Sequence, residues 1–167
     1  MMKKLLTIRI LFIFSVLFYG FTLNDSKTKT FYSLSAASKT PKDVYKLDLM
    51  FKGYNEFPNQ ILEFKNLENL ILRGNQLKDL PIEIKKLKKL KELSLGQNPI
   101  QNFEKLFESI SGLKNLEELD LEMTGIKSIP KSILKLKKLK TLYLWNNPID
   151  SLETIRVKAL LPEVEIQ

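Results

Sequence analysis

From Val44 onward the same apolar string returns at a nearly fixed interval, and a chain with such a period buries its apolar residues by stacking one unit on the next. The units open at Val44, Leu67, Leu90, Leu116 and Leu139, so they are 23, 23, 26 and 23 residues apart. In the second unit the string runs Leu67, Leu70, Leu72, Asn75, Leu77, Leu80, Pro81, Ile84 and Leu87. The fourth repeats it as Leu116, Leu119, Leu121, Thr124, Ile126, Ile129, Pro130, Ile133 and Leu136. Two leucines separated by one residue are the mark of a half-buried strand. Leu70 and Leu72 then face inward, while Asn69, Ile71 and Arg73 face out.

This string resembles the leucine-rich-repeat family in its 23-residue form, LxxLxLxxNxLxxLPxxIxxLxx, and five units match it. The resemblance implies an α/β solenoid with a parallel concave sheet of about six short strands, and turns or short helices on the convex side. Asn75, Asn98 and Asn147 fall at the bend after each strand. An amide there carries both donor and acceptor, so it can satisfy backbone groups that the turning chain leaves unpaired, which is a structural role. Thr124 can fill part of that role and Lys52, in the looser first unit, cannot. Pro58, Pro81 and Pro130 come after the strands, where a missing N–H costs little and the fixed φ helps turn the chain.

The third unit carries three extra residues across 103–112, with Phe103, Leu106, Phe107 and Ile110 at helical spacing, and Gly112 suits a helix stop. The ends read as caps: a helix over Phe31–Ser38, a helix over Leu152–Leu160, and a last strand near Val164–Ile166. Residues 1–24 read as an export signal, 25–43 as a polar linker and N-terminal cap, 44–160 as five repeats, and 161–167 as a C-terminal cap strand.

The export reading rests on Lys3 and Lys4 followed by an apolar stretch from Ile10 to Phe21. Arg9 shortens that stretch below the ~20 residues of a spanning helix, so an uncleaved membrane anchor is the alternative to release. Small residues at Ser35, Ala36 and Ala37 lie far beyond the apolar stretch, and a cut near Gly20–Asn24 leaves the N-terminal cap whole. Removal of Lys3, Lys4 and Arg9 lowers the net charge from +8 to +5.

The 167 residues contain no His and no Cys, which excludes a Ser-His-Asp triad, a thiol nucleophile, a disulfide framework and a Cys/His zinc site. Outward positions of the strands form three columns. The acids Glu92, Glu118, Asp120 and Glu122 gather there, flanked by Tyr143 and the single tryptophan, Trp145. An acid–base pair needs a closed site, and a calcium site needs a loop of ligands; the columns offer neither. The expectation is therefore a non-catalytic module without cofactor or metal, which binds a partner protein through Met50, Ile71, Arg73, Asp120, Glu122, Tyr143 and Trp145. Tyr, Trp and Arg are the side chains that most often dominate binding energy.

Lys65, Lys88, Lys114 and Lys137 share one repeat position just before the strands. They define the competing expectation, a surface-adhesive protein held weakly to anionic lipid or glycan. No aromatic platform for bases accompanies them, so nucleic acid is not expected.

Overall fold

The computed structural model describes residues 27–167, so the expected export segment lies outside the described residues. Each LxL step becomes one short strand, and one further strand lies at either end of the sheet. They are β1 (Thr30–Phe31), β2 (Lys46–Asp48), β3 (Asn69–Ile71), β4 (Glu92–Ser94), β5 (Glu118–Asp120), β6 (Thr141–Tyr143) and β7 (Glu165–Ile166). All pair in parallel and in chain order.

The register is the repeat itself. Leu47, Leu70, Leu93, Leu119 and Leu142 stand side by side on successive strands, each at most 2% exposed. Burial of one such side chain contributes about 1.5–3 kcal/mol, so this row alone commits the sheet to its register. A second row, Leu49, Leu72, Leu95, Leu121 and Leu144, lies parallel to it and is also buried.

The chain returns to the next strand through the convex side. Pro58, Pro81 and Pro130, with φ of −71°, −69° and −60°, stand immediately before short 3-10 helices at Asn59–Glu63, Ile82–Lys86 and Lys131–Lys135. Proline's fixed φ suits that entry, and the position asks for no N–H. Ile61, Ile84 and Ile133 point from these turns into the core.

The third repeat uses its extra residues for a true helix, α2 (Phe103–Ile110), whose N-terminus is capped by Asn102 Oδ1 accepting from the Lys105 N–H at 2.9 Å. The helix stops just before Gly112, as expected, but the glycine has no positive φ. The helix ends at Ile110, and a Cβ on Gly112 would lie 2.5 Å from Lys85 Cβ. The glycine is needed for close approach to the preceding repeat.

The N-terminal end also differs from expectation. Thr30 and Phe31, assigned to a polar linker and a helix, form a seventh strand beside Lys46 and Leu47. Phe31 is 3% exposed and continues the leucine row; leaving it in a helix would strand that ring away from the core. The helix, α1 (Leu34–Ala37), starts later because Ser33 Oγ caps it by accepting from the Ala36 N–H.

At the other end α3 (Ser151–Leu160) precedes β7. Glu153 Oε1 accepts from the Ile129 N–H at 2.7 Å and Arg156 Nη2 donates to the Ile129 carbonyl at 2.6 Å. One carboxylate and one guanidinium thus clamp both backbone groups of a neighbouring repeat.

Candidate binding face

The strand register fixes which outward side chains become neighbours, at about 4.8 Å from strand to strand. Column one runs Lys46, Asn69, Glu92, Glu118, Thr141 and Glu165, and column two runs Asp48, Ile71, Ser94, Asp120 and Tyr143. Column three, just past the strands, holds Met50, Arg73, Gly96, Glu122 and Trp145.

The bend behind column three is built by the amides. Asn75 Nδ2 donates to the carbonyls of Leu49 at 2.9 Å and Leu72 at 2.8 Å, while its Oδ1 accepts from the Lys52 and Tyr54 N–H groups. Asn98 repeats this with Leu72, Leu95 and Leu77, and Asn147 with Leu121, Leu144, Thr124 and Gly125. Thr124 Oγ1 donates to its own Leu121 carbonyl at 2.7 Å and lies 3.4 Å from Asn147 Oδ1, but reaches no preceding repeat.

Between column three and the amides lies a backbone feature that the leucine pattern does not announce. Phe51, Gly74, Gln97, Met123 and Asn146, at equivalent places in five repeats, all have φ between 53° and 68°. The N–H groups of the first four extend the sheet ladder: Phe51 donates to Arg73, Gly74 to Gly96, Gln97 to Glu122 and Met123 to Trp145, each at 2.8–3.0 Å. The ladder holds three of the four non-glycine residues, Phe51, Gln97 and Met123, in a region they otherwise avoid. Only Gly74 and Asn146 hint at this in the sequence. The turn pushes Phe51 (64% exposed) and Met123 (49% exposed) to the rim of the face, and the Phe51 ring covers the space where a Gly74 Cβ would sit.

Arg73 is not a free anchor. Its Nη1 donates to Asp120 Oδ2 at 3.0 Å and its Nη2 lies 2.7 Å from Glu122 Oε2. Burial works against the charge, but bonds to Glu122 and Asp120 outweigh it and raise the guanidinium pKa. Asp120 also accepts from Ser94 Oγ at 2.6 Å and from the Glu122 N–H at 2.8 Å. Sequence reasoning missed the part of Ser94 and of Gly96, over which Arg73 passes. Asp48, at the matching place in the first repeat, accepts from the Met50 N–H at 2.9 Å, which sets Met50 at the far end of column three.

Ile71, Asp120 and Tyr143 do come together, lining a cleft of about 180 Å³ with Asn69, Glu92, Ser94 and Glu118. Burial, then the Glu118 charge, raises the Glu92 pKa. The Tyr143 hydroxyl is pushed up by burial and by the surrounding carboxylates, Glu118 first. Trp145, 60% exposed, is separated from this cleft and lines another of about 290 Å³, beside Leu144, Asn147, Val157 and Ile166. Tyr143 and Trp145 are thus two anchors for two depressions. Among the described residues, no group of three or more Asp or Glu is placed to hold a metal, and no helix is long and apolar enough to cross a membrane.

Lys65, Lys88, Lys114 and Lys137 are all exposed, away from these columns. Beside them runs a pairing the sequence reading overlooked: Lys91 with Glu68 at 2.6 Å and Lys140 with Glu117 at 2.5 Å. The Glu68 bond raises the Lys91 pKa, and the Lys140 bond lowers that of Glu117.

The family pattern for leucine-rich repeats in two copies matches residues 65–108 and 114–157. Among solved structures, a leucine-rich-repeat protein of Leptospira interrogans is similar at 33% identity and a TM-score of 0.69, over 83% of this chain and 34% of that one. Internalin C2 of Listeria monocytogenes is similar at 30% identity and a TM-score of 0.61, over 75% of this chain and 51% of that one. A plant peptide hormone receptor, solved in complex with RGF2, shares the fold at 23% identity and a TM-score of 0.55, over 83% of this chain and 23% of that one. The chain therefore spans about a third of the Leptospira protein and half of the internalin. No curated protein sequence matches it.

Proposed function

Because the chain belongs to the leucine-rich-repeat family, we propose that it is an exported, non-catalytic module that binds a partner protein through the concave face. The observation that carries this reading is the fixed geometry of that face. Strand register sets the columns, the amides and the left-handed turn set their edge, and the Arg73–Asp120–Glu122 bridge locks the centre. Ile71, Tyr143, Met50 and Trp145 are left at the surface on a frame that does not have to order itself on binding, which keeps the entropy cost of association low. That a plant receptor of the same fold is solved with a bound partner supports the reading by analogy of fold. Export rests on Lys3, Lys4 and the apolar stretch from Ile10 to Phe21.

The test is photocrosslinking in cells that make the protein, with a photoreactive phenylalanine analogue at Tyr143, at Trp145, or at exposed Lys127, outside the three columns. A protein adduct from the first two positions and not from Lys127 supports the proposal. An adduct only from Lys127 removes it.

A further inference from the structure

The lysine position just before the strands forms one continuous edge. Lys89 Nζ donates to Asn66 Oδ1, Asn115 Nδ2 to the Lys88 carbonyl, and Lys138 Nζ to Asn115 Oδ1, each at 2.7 Å. These bonds tie the first, second, third and fourth repeats along that edge, so Lys65, Lys88, Lys114 and Lys137 are successive rungs. Among the described residues none of the four pairs with a carboxylate. Glu68 and Glu117, three residues after Lys65 and Lys114, are already bound by Lys91 and Lys140.

The short helices leading into this edge add a second feature. Ile82, 41% exposed, shares its helix with Glu83 and with Lys85 and Lys86, and Leu134, 40% exposed, shares its helix with Lys131 and Lys135. Exposed aliphatic side chains bordered by lysines match the boundary between headgroups and acyl chains, where phosphates meet the cations and the apolar groups sit just beneath. Among the described residues no exposed aromatic side chain stands among the rungs to stack a base.

We propose that this edge seats the protein on an anionic lipid bilayer, with the rung lysines on headgroup phosphates and Ile82 and Leu134 at the acyl boundary. The concave columns use other repeat positions and stay uncovered. This goes beyond partner binding and stands or falls separately from it.

The test is co-sedimentation of the full chain with vesicles of phosphatidylcholine alone or mixed with phosphatidylglycerol. The variant Lys65→Gln/Lys88→Gln/Lys114→Gln/Lys137→Gln should bind the anionic vesicles about a thousandfold more weakly, and the matching four-arginine variant should bind as wild type does. Ile82→Ser/Leu134→Ser should release more readily in high salt, and Trp145→Ala should bind unchanged. All variants carry the same residues 1–26, so any contribution from that segment cancels, and circular dichroism checks that each is folded. Equal binding by wild type and the four-glutamine variant overturns the proposal. So does equal binding to neutral vesicles, or retention by heparin beads without binding to vesicles.

Discussion

Arg73 and Asp120 stand 47 residues apart in the chain and 3.0 Å apart in the fold, joined across the bare backbone of Gly96. The bridge skips a whole repeat, because column three offers no side chain at Gly96 to block it. A Cβ there would lie 2.5 Å from Arg73 Nη1 and 2.8 Å from Asp120 Oδ2. Gly96→Ala should therefore break the bridge at a cost of about 1 kcal/mol, as expected for a charged pair that solvent partly screens. Most of that cost should vanish in an Arg73→Ala background. A double-mutant cycle by urea unfolding checks this; fully additive effects would mean that Gly96 acts elsewhere.

The amides make a stronger prediction. Asn75→Ala leaves the Lys52 and Tyr54 N–H groups without their acceptor and removes the donor shared by the Leu49 and Leu72 carbonyls. The loss should be about 3 kcal/mol, the scale set by unsatisfied buried groups. Thr124→Asn restores an amide where the ladder is broken and should gain about 1 kcal/mol. Chemical denaturation midpoints measure both.

Met123 tests the left-handed turn. At φ 53° it pays a conformational cost that glycine does not. Met123→Val should lose about 1–2 kcal/mol, since a β-branched side chain tolerates this region least. Met123→Gly should be neutral or stabilising. Thermal melts of the two variants against wild type give the comparison.

Glu92 sets a pH dependence. Burial and the Glu118 charge raise its folded pKa above the ordinary carboxylate value. The unfolded chain therefore releases this proton first as pH rises, and stability falls across the interval between the two values. Glu92→Gln should unfold later than wild type at neutral pH, and the difference should shrink as pH drops below the ordinary carboxylate range. A gap that widens in acid would contradict the sign.

The leucine rows, the amide bends and α2 were legible in the sequence because each depends on residues of one repeat and their period. What escaped depends on contacts between repeats. Phe31 has the apolar character of a strand residue but lacks an LxL context, so its row became visible only beside Leu47. Gly112 and Gly96 both read as ordinary glycines until Lys85 and Arg73 are seen to fill the space above them. Arg73, chosen as an anchor for its residue type, is bound internally because two acids of the fourth repeat lie within its reach. Tyr143 and Trp145 are two residues apart and on one face by alternation, yet the turn after Leu144 directs the indole toward α3 and β7.

The most direct test of the concave-face account is quantitative recovery of binding partners by the full chain and by its Tyr143→Ala and Trp145→Ala forms, at low and high salt. The account predicts a protein species held by wild type in high salt and lost from both variants. Equal recovery by all three, or release of every species by salt alone, would contradict it.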